Sequence, residues 1–473
     1  MEMDKYLDMV SAQIRDNRAR AMAVKELRDH MEDQAAACEA EGMTREEAVR
    51  EAARQMGDPV TAGVELDRIH RPKMEWRLFF WILAFSILGL FLQYVCFYGI
   101  GQAGGNTMEY FVRQCWYTLS GIGIMAAVCL WDYSILGKHP ELSGTCFLGI
   151  IGISGVSGIL PMMNGGYPYL KCLMYLFVPL YAGILYSNRG KGYLGMGIST
   201  VWIGVAFGVA AGIIGGGISV TGDALAVCTV MFFAAVGGEW FGVPRKKGFA
   251  AAGCVFAAAA VLMIANLKGY QIARLQAFFH PEDFAQTAGY HISQIRKIAS
   301  CLSFNQNSYQ ILEQKGLLDF WNHASIQNQY MILQSAVVLG LAKTIGVCGL
   351  YGLFFLYLFF MAAREKNRLG RMAAFGCTLL LALETVRNVM YNFGLDLSST
   401  AGIPFFSYGR LHTLTVYGLL GILLSIYRHR NLVWDIPAVR RGTDGGVKIG
   451  NYVIRVEKDE KLSSGTAGQV TKV

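Results

Sequence analysis

Charged side chains are costly inside a bilayer, so those that interrupt apolar runs are where chemistry is sought first. Glu384 and Arg387 stand one helical turn apart in the run 371–393, a spacing at which a carboxylate and a guanidinium can pair on one helix face. Such a pair either serves a polar ligand or neutralises itself and holds helices together, and the residues alone leave both readings open. Asp223 and Glu239, at opposite ends of another run, read as interfacial anchors. A second feature is Ala401-Gly402-Ile403-Pro404-Phe405-Phe406-Ser407-Tyr408-Gly409, just before the last apolar run. Pro404 and the glycines oppose a helix, so this apolar, aromatic stretch is expected to be irregular backbone at membrane depth. Backbone of that kind survives only where protein covers it or where it lines a cavity. The segment is therefore read as the lining of a site near one membrane face, with an ordinary hydrophobic loop as the alternative. His30 stands among carboxylates on a solvated helix face, and no cysteines are paired at metal spacing, so no metal site is expected.

The elements that must position these groups are membrane helices. Of 473 residues, 53% are hydrophobic and 16% charged, a balance that excludes an ordinary soluble protein and defines an all-α, polytopic membrane fold. Ten spans are predicted, at 77–99, 109–131, 143–161, 168–187, 193–214, 223–241, 248–267, 330–362, 371–393 and 411–427. The eighth is too long for one crossing, so its first part is expected to lie at the outer surface or to tilt. The net charge of +8 comes from basic residues beside the spans and argues for membrane topology, not for a nucleic-acid partner. Lys138, Arg189, Lys191, Arg245 to Lys247, Arg364 to Arg371, Arg428 and Arg430 all fall on one side. By the positive-inside rule both termini are then cytoplasmic and the long loop 268–328 is outside. The polar first residues lack the short apolar core of a cleavable signal, so the first span directs insertion.

Residues 1–75 read as a separate soluble unit of three amphipathic helices, carrying Leu7, Val10, Ile14, Met22, Leu27 and Met31 at helical spacing. Thr44 with Glu47 predicts a capping box, and Met56-Gly57-Asp58-Pro59 a helix end. This unit resembles the cytoplasmic prefix domains found ahead of some bacterial permease-like proteins. The tail, 431–473, is polar, and is expected to be mobile or to form a strand pair around Tyr452 to Val456.

Ten spans, a large loop after the seventh, and Gly402-Ile403-Pro404 through Tyr408 before the last together resemble the SEDS family, whose members include FtsW, RodA and SpoVE. Arg113-Gln114, Trp116, Gly121 and Asp132-Tyr133 are similar to its second span. Arg274-Leu275, Pro281-Glu282-Asp283 and Gly289-Tyr290 are similar to the start of its large loop, and Asn388, Asn392 and Gly394 precede the Gly-Ile-Pro segment at the family's spacing. The resemblance covers 76–430. It implies a bacterial cytoplasmic-membrane protein of cell-wall synthesis, in cell shape, division or sporulation, that polymerises a lipid-linked peptidoglycan precursor beside a transpeptidase (penicillin-binding protein) partner and in contact with membrane lipids. It implies substrate-binding roles for Lys171, Arg274, Glu384, Asn388, Pro404, Ser407 and Tyr408. No cofactor is implied beyond a divalent cation in an active enzyme.

The family places a catalytic Asp where the large loop enters the eighth span, followed by an acidic pair and Gly. Aligned on Gly340, this chain has Gln329 at that position and Val337-Val338 at the pair, and no Asp or Glu occurs between Asp319 and Glu365. A glutamine amide can hold a hydroxyl but cannot accept its proton. Gly166-Tyr167-Pro168 likewise replaces the expected Pro-Ser-Glu. The reading taken is a catalytically reduced relative that binds the precursor as scaffold or regulator. The alternative is an active glycosyltransferase using a displaced acid such as Asp319, Glu282 or Asp283. A flippase or transporter is a third reading, unsupported by any inverted repeat.

Overall fold

A computed structural model describes residues 3–99, 107–158, 162, 166–214, 219–267, 269–284, 286–287, 289–321, 330–396, 402–430, 440–441, 446–449, 452–455 and 469–472. Two compact units emerge, Met1–Glu75 with Ile426–Trp434, and Trp76–Ser425 with Asp435–Val473.

The first unit has four helices, α1 (Met3–Gln13), α2 (Asn17–Ala40), α3 (Arg45–Gln55) and α4 (Pro59–His70), where the sequence pattern predicts three. Asp16 makes the extra break. Its carboxylate accepts the Ala19 N–H at 3.1 Å, while Arg20 closes α1 by donating to the Ile14 carbonyl. Tyr6, Leu7, Val10, Ile14, Ala23 and Met31 form one buried cluster, and Ala35, Cys38, Ala48 and Ala52 a second. At α3 the Glu47 carboxylate accepts from the Thr44 N–H at 3.2 Å and its hydroxyl at 2.8 Å. Asp58 caps α4 through the Thr61 N–H at 2.8 Å, with Pro59 at the first helical position, so the predicted helix end is also the next helix's start.

The second unit is helical apart from its tail. Its helices are α5 (Trp76–Gly99), α6 (Thr107–Leu130), α7 (Ile135–Lys138), α8 (Pro140–Val156), α9 (Pro168–Leu173), α10 (Phe177–Ser187), α11 (Gly192–Val209), α12 (Ser219–Gly237) and α13 (Arg245–Ala265). The loop segment adds α14 (Gly269–Phe279), α15 (Tyr290–Ala299), α16 (Tyr309–Gln314) and α17 (Leu318–Trp321). Then come α18 (Met331–Leu339), α19 (Leu341–Ala363), α20 (Arg368–Asn392) and α21 (Arg410–Arg428). Among the described residues, seven spans are long and apolar enough to cross a membrane and two shorter helices are apolar. With α6, whose first turns carry Glu109 and Arg113, these account for the ten predicted spans.

The eighth run is cut at Gly340, whose φ of +93° and tight surroundings both require glycine; an added Cβ would lie 2.9 Å from the Asn305 backbone. This leaves α19 as a crossing of 23 residues, about 34 Å. The part before it, α18, packs against the helices of the long loop, the segment expected outside. Residues Met331 to Val337 are all buried, because α18 joins the cluster of Ile295, Ile298, Leu312 and Trp321 from the loop helices. In the tail, the predicted strand pair is β2 (Gly446–Ile449) and β3 (Tyr452–Arg455), flanked by β1 (Arg440–Arg441) and β4 (Gln469–Lys472) in one antiparallel sheet of order β1-β2-β3-β4.

Candidate functional site

A group of buried polar side chains on α12, α20 and α21 stands near the residues that meet the loop helices and α18. Arg387 and Glu384 share α20 but do not pair. The Arg387 guanidinium donates to Asp396, from Nε to Oδ2 at 2.9 Å, and also to Asp223 of α12. Asp223, with a side chain 3% exposed, is thus a buried ion-pair partner. The reason is reach. The planar fork of Arg387 has donors for a carboxylate on either side, whereas Glu384 turns to α21. There its Oε1 stands 3.0 Å from His412 Nε2, with both residues buried. The contact is at ion-pair distance but not aligned as a hydrogen bond, so both Glu384 oxygens and Nε2 are otherwise unbonded among the described residues. The buried Tyr175 hydroxyl lies beside Glu384, within hydrogen-bonding reach of its carboxylate, and in the field of Asp223. Lys171, one turn before it, is half-buried, and Cys172 feels both Lys171 and Glu384.

The 402–409 segment is irregular and covered on several sides. The Gln93 amide donates to the Phe406 carbonyl at 2.6 Å, and the Tyr351 hydroxyl to the Pro404 carbonyl at 2.6 Å. Gln114 accepts the Gly409 N–H and donates to the Thr413 hydroxyl. Phe405 has φ +68°, unusual for a side chain of its size, and its ring is held by Phe85, Phe354 and Tyr417. On α5 only glycine admits this backbone, since a Cβ on Gly89 would lie 2.3 Å from the Phe405 carbonyl oxygen. Ser407 closes a local turn, accepting the Ile403 N–H at 2.7 Å, so Pro404 and Ser407 hold the segment in place. Tyr408 is half-buried against Tyr110 and Tyr117, next to Arg113.

Asn388 accepts from the Asn392 side chain, and Asn392 in turn accepts the Ile332 and Leu333 N–H groups at 3.1 and 3.0 Å. This chain of amides caps the first turn of α18. Beside it Tyr330 stacks on Tyr391, ring centroids 5.1 Å apart, with the two hydroxyls bonded at 2.8 Å. Arg274 is exposed on α14 within electrostatic reach of Tyr391. Gln329 lies outside the described residues, and of Asp319 only its place in α17 is described. No group of three or more His, Cys, Asp or Glu side chains among the described residues could hold a metal ion. Asp223 and Asp396 are both engaged by Arg387, so the residues do not fit a divalent cation and no step is routed through one.

An apolar groove of about 530 Å³ is lined by Leu173, Leu176, Leu411, Leu414 and Ile422 among others, with Asp132 the charged residue in its lining. Leu411 and Leu173 are the chain neighbours of His412 and Cys172. A larger groove, about 940 Å³, lies between α8 and α11 and has no charged residue in its lining. His412, Asp396 and Tyr175 are the site residues that the sequence reading missed. His412 was detectable as an ionisable residue at the margin of an apolar run.

The fold and site define a polytopic helical membrane protein with a buried charged site on α12, α20 and α21. The chain belongs to the FtsW/RodA/SpoVE family of cell cycle proteins, whose family pattern matches residues 75–432, and it is a multi-pass bacterial membrane protein. It is 26% identical over 181 residues to a probable peptidoglycan glycosyltransferase FtsW of Thioalkalivibrio sp. (strain K90mix), covering 37% of this chain and 42% of that one. It is 27% identical over 173 residues to the peptidoglycan glycosyltransferase MrdB of Escherichia coli K12, covering 37% and 46%. The chain thus spans under half the length of these curated relatives. A chain from a solved structure of a peptidoglycan synthase complex shares the fold, with a TM-score of 0.56, 18% identity, and coverage of 76% of this chain and 98% of that one.

Proposed function

We propose that this protein binds a lipid-linked disaccharide precursor of peptidoglycan beside Lys171 and joins such units by glycosyl transfer. One observation carries the reading: an apolar groove lined by Leu173 and Leu411 runs along the same segments, 171–176 and α21, that carry Lys171 and His412, so a polar head and a long hydrocarbon tail can be met by neighbouring residues. The family's named glycosyltransferases support the same substrate class. In this reading Lys171, with Arg113 beside Tyr408, attracts the pyrophosphate, and the tail follows Leu173, Leu176, Leu411 and Leu414. The basic residues beside the spans support cytoplasmic termini, with the site at the outer leaflet. The fold shared with a chain of a peptidoglycan synthase complex supports a transpeptidase partner.

A second reading keeps the binding without the polymerisation, as a scaffold or regulator. Gln329 and Val337-Val338 favour it, since neither position offers a proton acceptor. Purified protein in lipid nanodiscs, given lipid-linked disaccharide, separates the two. Glycan polymer supports transfer. Binding without polymer, and polymer appearing on Gln329→Asp with a gain of about 10²-fold or more, supports the scaffold. Neither binding nor polymer would end both readings.

A further inference from the structure

The last turn of α21 belongs to the first compact unit, together with the prefix helices and the link that follows them. There the Lys73 N–H donates to the Arg428 carbonyl at 3.1 Å, satisfying one of the acceptors that a helix end leaves open. Lys73 stands three residues beyond His70, the last residue of α4, and a link of that length reaches about 10 Å at full extension. Arg428 ends a membrane span, so α4 is tethered within about 10 Å of the place where that span leaves the hydrocarbon.

Helix α4 has two unlike sides. Pro59, Gly63 and Asp67 are buried, and Gly63 meets α1 so closely that a Cβ there would lie 2.8 Å from the Val10 carbonyl oxygen. Val60, Val64 and Arg68 follow one another at helical spacing on the outer side, the valines 41% and 53% exposed. Arg71 and Lys73 continue the basic character past the helix, and Arg430 adds to it just after α21. Arg68, Arg71, Lys73 and Arg430 are all exposed, and no carboxylate among the described residues pairs with their side chains. Glu65, the acid next to Val64, stands off the row of Val60, Val64 and Arg68. Trp76, which opens the first span, is 58% exposed, as an aromatic anchor at a membrane interface would be.

We propose that the outer side of α4 docks on the adjoining leaflet and selects anionic lipid. The valines enter the boundary between headgroups and acyl chains, and Arg68, Arg71, Lys73 and Arg430 take the headgroup phosphates. Two observations favour lipid over a protein partner. The tether is about as long as the distance over which an anionic surface acts through physiological salt, about 8 Å, so these cations stay in its field. Their charge is also of the sign that lipid phosphates need. The inference is independent of glycosyl transfer and assigns the prefix unit a ligand of its own.

The test uses the full chain in nanodiscs, with photoreactive benzoylphenylalanine in place of Val64 or, for comparison, of the exposed Asp29 on α2. After irradiation, mass spectrometry separates lipid adducts from crosslinks between chains. In phosphatidylglycerol, lipid adduct is expected at Val64 and none above background at Asp29. In phosphatidylcholine the yield at Val64 should fall at least about fivefold, the effect of one cation at an anionic surface. The combined Arg68→Gln, Arg71→Gln and Lys73→Gln changes should remove the difference between the two lipids. Equal adduct at Val64 and Asp29 would overturn the proposal, as would equal yields in the two lipids with the natural cations in place. Crosslinks from Val64 to a second copy of the chain, without lipid adduct, would give the surface to a protein contact and overturn it too.

Discussion

Helix α13 and helix α20 are both long enough to cross a membrane, yet they stand in opposite surroundings. Only 11% of the most apolar window of α13 is buried, against 67% for α20, although α13 is the more apolar of the two. Val261, Leu262, Met263 and Ile264 face outward from α13, while Glu384, Thr385, Asn388 and Asn392 are buried in α20. In water this order would be reversed. In lipid an apolar side chain gains little from the interior, and the residues that must be enclosed are those that need partners. Function should accordingly be concentrated in the less apolar helix, and substitutions in the two should differ most where polar partners are lost.

The largest difference is expected at Arg387. Arg387→Ala removes the guanidinium that both Asp223 and Asp396 engage and should cost about 3–5 kcal/mol of stability, read from unfolding in detergent. Leu262→Ala on the lipid face of α13 should stay within about 0.5 kcal/mol. Equal losses would break the contrast. Next comes Gly89→Ala, which sets a methyl against the Phe405 carbonyl; about 1–3 kcal/mol is expected, together with altered packing of the 402–409 segment visible in its hydrogen exchange.

The smallest effect concerns the prefix unit, where Asp58 and Glu47 sit below the usual carboxylate range, each held mainly by side-chain hydrogen bonds, from Thr61 and Thr44 respectively. The folded form therefore binds fewer protons than the unfolded one. Its caps contribute fully above about pH 4 and are lost as pH falls through the lower folded values. Circular dichroism of the fragment Met1–Glu75 should show helix loss steepening in that acid window, and Asp58→Ala should blunt it. An unchanged acid profile would remove the caps from the account.

What the sequence disclosed follows the same contrast. Apolar runs announce crossings, so the spans were legible, and so was the irregular 402–409 backbone, because Pro404 and the flanking glycines oppose a helix wherever they lie. Partners drawn from different helices were not legible. The spacing of Glu384 and Arg387 suggested a pair, but each finds its counter-charge on a segment remote in sequence, Glu384 at His412 and Arg387 at Asp223 and Asp396. Burial of α18 was hidden too, since a short apolar stretch reads alike whether loop helices or lipid cover it. The fourth helix of the prefix depends on one Asp16 cap within an otherwise continuous helical pattern.

The central claim is that a polar head lies at Lys171 while its tail fills the groove along Leu173, Leu176, Leu411 and Leu414. A lipid-linked disaccharide carrying a photoreactive group in its lipid, crosslinked to the full chain in nanodiscs and mapped by mass spectrometry, tests this directly. The label should concentrate on α9 and the first turns of α21 and should weaken on Lys171→Ala. Label spread over α13 or gathered between α8 and α11, and indifferent to Lys171→Ala, would contradict the account.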